Sequence, residues 1–450
     1  MDKSDRYTLA YRAAETSQVM AWVEAGQSGC LIGLRGAGKS NFLRFLLRQD
    51  VQQHYLGQAY ADYVFVLIDL LALTECTEWA VYEMVLDRLL HQMRLLREEE
   101  AIEGLESLHR EVVHSRDLLT AQRAVERCMD IFCQRLTRRV VLLFDEFGTV
   151  FRACDPSLLR GLRAIRDAHK GQVSYVVVVT GDLAHLRDDL SEVNHFYRLV
   201  SRNVCGLGPY SEADARQMIG YLASQRSIEL SAGDTAHLIE LSGGHAGLLK
   251  AILSMLWGVH YGSSLSEIVP SLGGEPTIEA ECRKVWGSLG ATEQIGLRAL
   301  AGGMQADPHT LHRLERKGLV EETRSKACLF SRVFGDFVRQ QALPVAEGTQ
   351  ISRSPRRVQI DGRRVENLTE LEFEILCYLY EHQGQVCSKD ELIANIYRQR
   401  YNRMAGGVTD EALQTLISRL RAKIESDRQR PRYVITVHGE GYKFVDSDDS

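Results

Sequence analysis

A glycine-rich stretch near the N-terminus constrains this chain more than any other feature. Gly33 is followed, after four residues, by Gly38-Lys39-Ser40, and the apolar residues 30–32 come directly before it. Glycines at this spacing let backbone N–H groups turn towards phosphate oxygens, where a Cβ atom would obstruct them. The residues after Ser40 have a helical, mostly apolar pattern. The stretch therefore predicts a strand, a phosphate-binding loop and a helix.

The lysine and the hydroxyl of such a loop have separate tasks. Lys39 is expected to bring positive charge to the β- and γ-phosphates of ATP, and Ser40 is expected to bind Mg²⁺. A chance glycine-rich turn is the alternative, and the flanking strand and helix patterns argue against it. The predicted nucleotide-binding residues of the stretch are Gly33, Arg35, Gly36, Ala37, Gly38, Lys39, Ser40 and Asn41.

A second apolar run ends in two acidic residues. Residues 140–144 indicate a parallel strand buried on both faces, and Asp145 and Glu146 follow directly. We expect Asp145 to share the Mg²⁺ ion with Ser40, and Glu146 to polarise the water that attacks the γ-phosphate. With Lys39, these two acids are the predicted catalytic residues. A strand that merely ends in exposed acids is the alternative.

Two further apolar runs predict neighbouring strands. Residues 63–70 form one, and residues 175–179 form another that leads into Thr180. In ATPases with an extra strand between the two phosphate-site strands, a polar residue at its end senses the γ-phosphate, and Thr180 fits that role. Strands alternate with helix patterns here, which predicts an α/β fold with ligands at the carboxyl ends of a parallel sheet.

Helix patterns alone follow from residue 207 and predict a helical lid. The loop motif, the Asp145-Glu146 pair, Thr180 and the lid sequence LSGGHAGLL together resemble STAND-type ATPases of the AAA+ superfamily, over residues 21–256. The resemblance implies ATP and Mg²⁺ as cofactors. In that family a Gly-x-Pro sequence of the lid contacts the nucleotide, and His245 stands at the middle position here. The resemblance therefore implies that His245 binds nucleotide.

Two charged features leave alternatives open. AAA+ proteins can place an arginine finger for a neighbouring subunit after the helix that follows the sensor strand, where this chain has Arg198 and Arg202. Surface or lid-facing arginines are the alternative, so assembly into a homo-oligomer on ATP binding stays open. The charged helical run 97–116 is either a solvated helix face or the surface for a protein partner.

Residues 286–342 resemble the winged-helix module that follows the lid in STAND and origin-recognition ATPases. Two helix patterns, a hairpin and a final helix occur in that order, and 309–317 is the candidate recognition helix. A regulatory role at the nucleotide site is favoured over DNA binding for this module. A linker of small and polar residues follows at 343–357.

The C-terminal segment closely resembles the OmpR/PhoB-type winged-helix DNA-binding domain of response regulators. The sequences LTELEFEIL, ISRLRAK and TVHGEGY carry the resemblance, and Thr369 and Ser388 are placed to cap two of its helices. The resemblance implies double-stranded DNA as the partner. It places the following residues at the major groove or at phosphates: Gln414, Ser418 and Arg421 at the groove; Arg419, Lys423, His438 and Lys443 at the phosphates.

The local charge agrees with that assignment. Between Arg419 and Lys443 there are seven Lys or Arg and three Asp or Glu, within a chain whose net charge is −6. The whole protein therefore has no basic footprint, and nucleic-acid binding must be local. A winged helix that binds only protein is the alternative.

Composition supports a cytoplasmic location without a membrane partner. The ten cysteines include no C-x-x-C pair, which indicates reduced packing residues. The N-terminus is polar, and no apolar run approaches the ~18 residues of a membrane-spanning helix.

These observations predict an α/β protein: a P-loop parallel-sheet ATPase core with a helical lid, followed by two winged-helix domains. The expected domains are the core 1–206, the lid 207–285, a winged helix 286–342, the linker 343–357 and the DNA-binding domain 358–446. The predicted function is a slowly hydrolysing, nucleotide-switched DNA-binding protein, most simply a transcription regulator. A DNA-assembling AAA+ ATPase of the origin-recognition or transposition-helper type, or a STAND sensor in phage defence, is the alternative.

Overall fold

The computed structural model describes residues 7–187, 190–226, 229–258, 274–323, 326–341, 349–353, 356–360, 363–365, 367–398, 410–425, 431–437 and 440–445. The chain divides into two compact units, Met1–Gln341 and Ala342–Ser450. They are called the first and the second unit below, and each is described by itself. Among the described residues, no helix is both long and apolar enough to cross a lipid bilayer.

The first unit is built on a parallel sheet, as the sequence predicted. In the described part of the chain this sheet has five strands in the order β2-β3-β4-β1-β5. Their bounds are β1 (Gly29–Gly33), β2 (Tyr63–Asp69), β3 (Arg139–Asp145), β4 (Val173–Val179) and β5 (Val204–Leu207). β4 pairs with β1 on one side and with β3 on the other. The strand that leads into Thr180 therefore separates the strand of the phosphate loop from the strand that ends in Asp145.

Helices cover both faces of this sheet, which explains its uninterrupted apolar strands. Every residue of β4 is buried. The helices that connect or flank the strands are α1 (Ala13–Glu24), α2 (Lys39–Leu46), α3 (Gln49–Leu56), α4 (Glu78–Leu96), α5 (Glu99–Ser115), α6 (Leu118–Asp130), α7 (Phe147–Ala153), α8 (Pro156–Ala168) and α9 (Leu190–Ser201). The charged run 97–116 corresponds closely to α5, which buries only Ala101, Leu105 and Val112 along its apolar stripe.

More helices and a hairpin complete the first unit. Ser211 caps α10, and Ser231 with Asp234 forms a capping box at the start of α11. The elements are α10 (Glu212–Ser224), α11 (Ala232–Ser242), α12 (Ala246–Gly258), α13 (Pro276–Trp286), α14 (Ala291–Ala301), α15 (Pro308–Arg316), β6 (Val320–Thr323), β7 (Lys326–Leu329) and α16 (Arg332–Gln340). α14, α15, the β6–β7 hairpin and α16 form a winged helix.

The second unit is also a winged helix, preceded by a small antiparallel sheet. Its elements are β8 (Thr349–Arg353), β9 (Arg356–Ile360), β10 (Arg363–Arg364), α17 (Glu370–Glu381), β11 (Val386–Ser388), α18 (Lys389–Arg398), α19 (Asp410–Ile424), β12 (Val434–Val437) and β13 (Gly441–Phe444). Leu413, Ile417 and Leu420 of α19 are buried in its core. These residues form one apolar stripe at helical spacing, and this face of α19 packs inwards.

Candidate functional site

The phosphate loop joins β1 to α2 and depends on two glycines. Gly36 and Gly38 have φ angles of +80° and +88°, which a residue with a Cβ atom rarely adopts. A Cβ atom at Gly36 would lie 2.7 Å from Cε1 of His245, and one at Gly38 would lie 2.7 Å from the hydroxyl of Tyr210. The loop is therefore held in its turn both by backbone conformation and by close packing from the rest of the first unit.

Lys39 begins α2 and points back into this loop. Its Nζ atom donates to the carbonyls of Gly33 (3.1 Å) and Leu34 (3.3 Å) and lies 3.5 Å from Oε1 of Glu146. Burial lowers the pKa of Lys39, and the nearby carboxylates of Glu146 and Asp145 act in the opposite direction. The ammonium group of Lys39 therefore lies behind the loop. Phosphate oxygens are also hydrogen-bond acceptors and could take the place of these two carbonyls.

Ser40 and Asp145 meet where the sequence predicted the metal ligands. Asp145 is the last residue of β3 and is 3% exposed. Burial raises the pKa of Asp145, and the nearby Ser40 side chain acts in the opposite direction. A hydroxyl and a carboxylate are oxygen ligands of the kind Mg²⁺ prefers. The half-buried hydroxyl of Ser40 and the buried carboxylate of Asp145 fit the metal that the motif implies.

A cavity of about 550 Å³ lies between this loop and the lid helices. Of the predicted residues, it is lined by Arg35, Gly36, Gly38, Lys39, Ser40, Asn41 and Glu146. Its lining does not include Gly33, Ala37, Asp145, Thr180 or His245. Thr180 directly follows β4 and is half-buried. Because β4 lies between β1 and β3, Thr180 is at the same edge of the sheet as the loop and Asp145.

The opposite wall of the cavity comes from α12 and α13, and sequence reasoning missed its residues. Lys250 on α12 and Thr277, Glu281 and Lys284 on α13 line it. Lys284 Nζ lies 2.5 Å from Oε1 of Glu281. Lys250 follows the lid sequence by one residue and could have been found from its position. Lys284 lies in a segment without a recognisable motif.

His245 contacts the loop from behind and does not face the cavity. Its ring is fully buried, and its Nδ1 atom accepts a hydrogen bond from the backbone N–H of Leu248 (3.3 Å). Nε2 therefore carries the proton and donates to the carbonyl of Arg35 (3.0 Å). Burial lowers the pKa of His245 to about 4, so the ring is neutral at pH 7.

His245 does not line the cavity, so its position does not agree with the predicted contact with phosphates. The ring turns under the loop at the start of α12, where it packs against Gly36. The first turn of α12 also holds the loop, since the N–H of Gly247 donates to the carbonyl of Gly36 (3.0 Å). The lid thus holds the backbone of the phosphate loop.

A buried arginine near the N-terminus ties the same loop to two other segments. Arg12 is 2% exposed, and its Nη2 atom donates to the carbonyls of Ala37 (3.1 Å) and Gly208 (2.7 Å). Its backbone N–H donates to Asp214 of α10 (3.1 Å), and its guanidinium lies over the ring of Tyr210. Apart from Glu15, which lies 2.9 Å from Nη1, these partners are all distant in the chain, so no sequence pattern marked this residue.

In the second unit, α19 presents a polar outer face. Gln414, Ser418 and Arg419 are exposed on the side opposite the buried stripe. Lys443 of β13 is partly exposed, and His438 lies outside the described residues. The structure therefore brings three of the predicted DNA-contacting residues to one open helix face.

Arg421 and Lys423 make contacts within the domain instead. Arg421 donates to the carbonyl of Val434 and to the hydroxyl of Thr436, both at 2.8 Å. Lys423 Nζ lies 2.6 Å from Oε2 of Glu372. Both cations serve first to hold α19 against its neighbours, which the count of charges along the sequence could not reveal.

Comparison with known proteins locates one family along the chain. Residues 362–444 match the family model described as "Transcriptional regulatory protein, C terminal". Regulatory protein VanRc of Enterococcus gallinarum is 36% identical over 75 residues, which cover 17% of this chain and 30% of that protein. The match thus spans under a third of the relative's length. The C-terminal part of the chain is a winged-helix domain of the transcriptional-regulator type.

Two solved structures are each similar to part of the chain. The Walker-type ATPase PABY2304 of Pyrococcus abyssi is 16% identical with a TM-score of 0.48, covering 73% of this chain and 95% of that one. The DNA-binding domain of Klebsiella pneumoniae RstA, solved with the RstA box, is 29% identical with a TM-score of 0.19, covering 22% of this chain and 90% of that one.

Proposed function

We propose that this chain is a nucleotide-switched DNA-binding transcription regulator, in which ATP bound by the first unit sets the DNA affinity of the second. The observation that carries the proposal is the attachment of the phosphate loop to the lid through His245 and Gly247. A loop held in this way transmits any change in its backbone directly to α12. The matched regulator domain at the C-terminus supplies the output.

In this proposal the residues at the phosphate loop bind ATP and hydrolyse it slowly. Lys39 contacts the β- and γ-phosphates, and Ser40 and Asp145 hold Mg²⁺, which neutralises phosphate charge. Thr180 senses the γ-phosphate, and Glu146 polarises water. The contact between Glu146 and Lys39 at 3.5 Å supports slow turnover, because the carboxylate must leave the lysine before it can act on water.

The DNA contacts are proposed for the open face of α19 and the hairpin. Gln414 and Ser418 are placed to read base edges, and Arg419 and Lys443 to contact phosphates. ATP can change DNA affinity only if it binds one conformation of the protein better than another, and the coupling is then reciprocal. A typical coupling of about 1–3 kcal/mol corresponds to roughly 5–150-fold in affinity.

The test uses a duplex selected from a random pool by the full chain with ATP. Its affinity is then measured for Glu146→Gln with ATP, with ADP and without nucleotide. This variant keeps the shape of the side chain and loses the base, so it should stay in the ATP-bound state and differ by about 5–150-fold between ATP and no nucleotide. Lys39→Ala, which should lose ATP binding, is the matched control and should show no dependence on ATP.

Three equal affinities for Glu146→Gln, at equal oligomeric state, would refute the switch. Continuous assembly of the chain on duplexes of unrelated sequence, instead of binding at one selected site, would favour the DNA-assembling ATPase. Electron microscopy of the same complexes distinguishes these outcomes.

A further inference from the structure

A strongly basic cavity lies in the first unit, away from the phosphate loop. Its volume is about 590 Å³, and its walls carry Arg163, Arg166, Lys170, Arg198 and Arg202. The lining contains no Asp or Glu. This concentration of positive charge is unexpected in a chain whose net charge is −6.

The cavity is at the opposite edge of the sheet from the phosphate loop. It includes residues 25–28, 171 and 203, which come just before β1, β4 and β5, and the last turns of α8 and α9 complete it. β1 is five residues long, so at about 3.3 Å per residue the two edges are roughly 17 Å apart. Arg198 and Arg202 therefore cannot contact a nucleotide bound by the phosphate loop of the same chain, and the lining contains no lid residue.

Most of these cations are not neutralised by the protein. Arg163 and Arg166 share one acid, Asp167, at 2.6 and 3.3 Å. Nε of Arg166 is buried and has no hydrogen-bond partner in the described part of the chain. Lys170, Arg198 and Arg202 are exposed, and the described residues provide none of them with an ion pair. Like charges that line one cavity repel each other, and a bound anion would relieve that repulsion.

We propose that this cavity binds a small molecule that carries two or more phosphate groups. Guanidinium groups form paired hydrogen bonds with phosphate oxygens, and the cavity offers four arginines and a lysine without a competing acid in its lining. A volume of about 590 Å³ is that of a small-molecule pocket, and a concave site of this size does not follow the surface of a duplex. The site is separate from the proposed ATP site and would add a second ligand to the regulator.

The anion would join elements that also reach the ATP site. It would contact α8, α9 and the segments before β1 and β4, and these two strands lead to the phosphate loop and to Thr180 at their other ends. Occupation of the cavity should therefore stabilise the first unit as a whole. The stabilisation grows with ligand concentration as for any ligand that binds only the folded state.

The test is calorimetric titration of inorganic tripolyphosphate into the full chain carrying Lys39→Ala, which weakens the phosphate-loop site. One site should remain, and adding Arg198→Ala and Arg202→Ala should weaken it by at least about tenfold. The control adds Arg216→Ala and Arg339→Ala instead, which remove the same charge from exposed positions on α10 and α16. This control should keep its affinity.

Three results would overturn the proposal. The first is no binding in Lys39→Ala, or an equal loss in both double variants. The second is that duplex DNA, and not tripolyphosphate, depends on Arg198 and Arg202. The third is that tripolyphosphate fails to bind the monomer while, in the chain that keeps Lys39, ATP-dependent self-association is lost on Arg198→Ala with Arg202→Ala, which would make the nucleotide of a second copy the occupant. None of these readouts depends on the proposed switch.

Discussion

The two winged helices of this chain share a fold and differ in what their candidate recognition helices contact. In the first unit, Arg313 on α15 and Lys317, which directly follows α15, lie 3.4 and 2.8 Å from the fully buried carboxylate of Glu293. Ser331 in the same module donates to the carbonyl of Leu241 in α11. On α19 of the second unit, the outer face that includes Arg419 is open.

This difference teaches that positive charge on a recognition helix is informative only when its partners are known. Both helices are basic in the sequence, and two cations of the first, Arg313 and Lys317, pair with an acid of their own module. Its module packs on the lid, which supports the regulatory interpretation over DNA binding. The following predictions test the contrast between the two modules.

The largest effect is expected when the two units are separated. A fragment of residues 356–450 should bind duplex DNA, and its affinity should fall about 100-fold between 50 and 200 mM salt as phosphate counterions are released. A fragment of residues 1–341 should show no comparable binding. Fluorescence anisotropy with a labelled duplex measures both. Equal affinity and equal salt dependence of the fragments would remove the distinction between the modules.

The second effect concerns acid stability of the first unit. The pKa of His245 is lowered to about 4, whereas a histidine in the unfolded chain titrates near 6.5. As the pH falls below 6.5, the unfolded state takes up the proton first, so stability is lost between pH 6.5 and 4. The contribution of His245 should fall by about 2 kcal/mol between pH 7.5 and pH 5.

Tryptophan fluorescence measures this loss in the first unit alone, because all four tryptophans precede residue 342. Urea unfolding should show the pH-dependent loss in the wild type and a smaller one in His245→Gln, which can still donate to Arg35. An unchanged pH dependence in His245→Gln would mean that the ring does not stay neutral in the folded protein.

The third effect compares one ion pair in each module. Lys423→Met should destabilise the 356–450 fragment by about 1–2 kcal/mol, because it leaves the carboxylate of Glu372 without its cation. Burial opposes the shift, but the hydrogen bond from Lys423 lowers the pKa of Glu372 overall. The contribution should therefore be present above pH 4.5 and be lost as the pH falls through the lowered pKa.

Lys317→Met is the matched variant in the first module, where it removes a cation from Glu293. It should destabilise the first unit by a similar amount and leave DNA affinity unchanged. Circular dichroism gives the stabilities, and a DNA titration of the full chain gives the affinities. A loss of DNA affinity in Lys317→Met would mean that α15 contacts DNA.

The smallest effect is expected for single exposed cations. Arg419→Ala should weaken DNA binding about three- to fivefold and reduce its salt dependence by about one phosphate contact, equally for all sequences. Arg313→Ala should leave both quantities unchanged. A change in sequence preference for Arg419→Ala would indicate that this arginine reads bases.

The sequence predicted those parts of the fold whose causes are local. The loop between Gly33 and Lys39 is defined by the spacing of its glycines, and the strand before Asp145 by its apolar run, so both were predicted. The short strand β5, which pairs with β1, was not predicted. The position of the 173–179 strand also agreed with the expectation drawn from ATPases that have an extra strand between the two phosphate-site strands.

Contacts between distant segments were beyond the reach of sequence patterns. Arg12 looks like any arginine of a polar segment, and only the folded chain brings it to Ala37 and Gly208. Lys423 looked free for phosphate because Glu372, its partner, is 51 residues away. His245 was predicted to bind nucleotide, whereas its ring contacts the backbone of the loop, because the orientation of the ring depends on how α12 begins.

The close fit between Gly36 and His245 has a consequence for how such chains diverge. A methyl group at position 36 would be 2.7 Å from the ring, so it would act as a wedge between the core and the lid. A substitution at either position alone would disturb the contact between the core and the lid. Among descendants of a common ancestor, glycine should therefore be kept at position 36, because its φ angle of +80° disfavours a larger residue even where position 245 has become small.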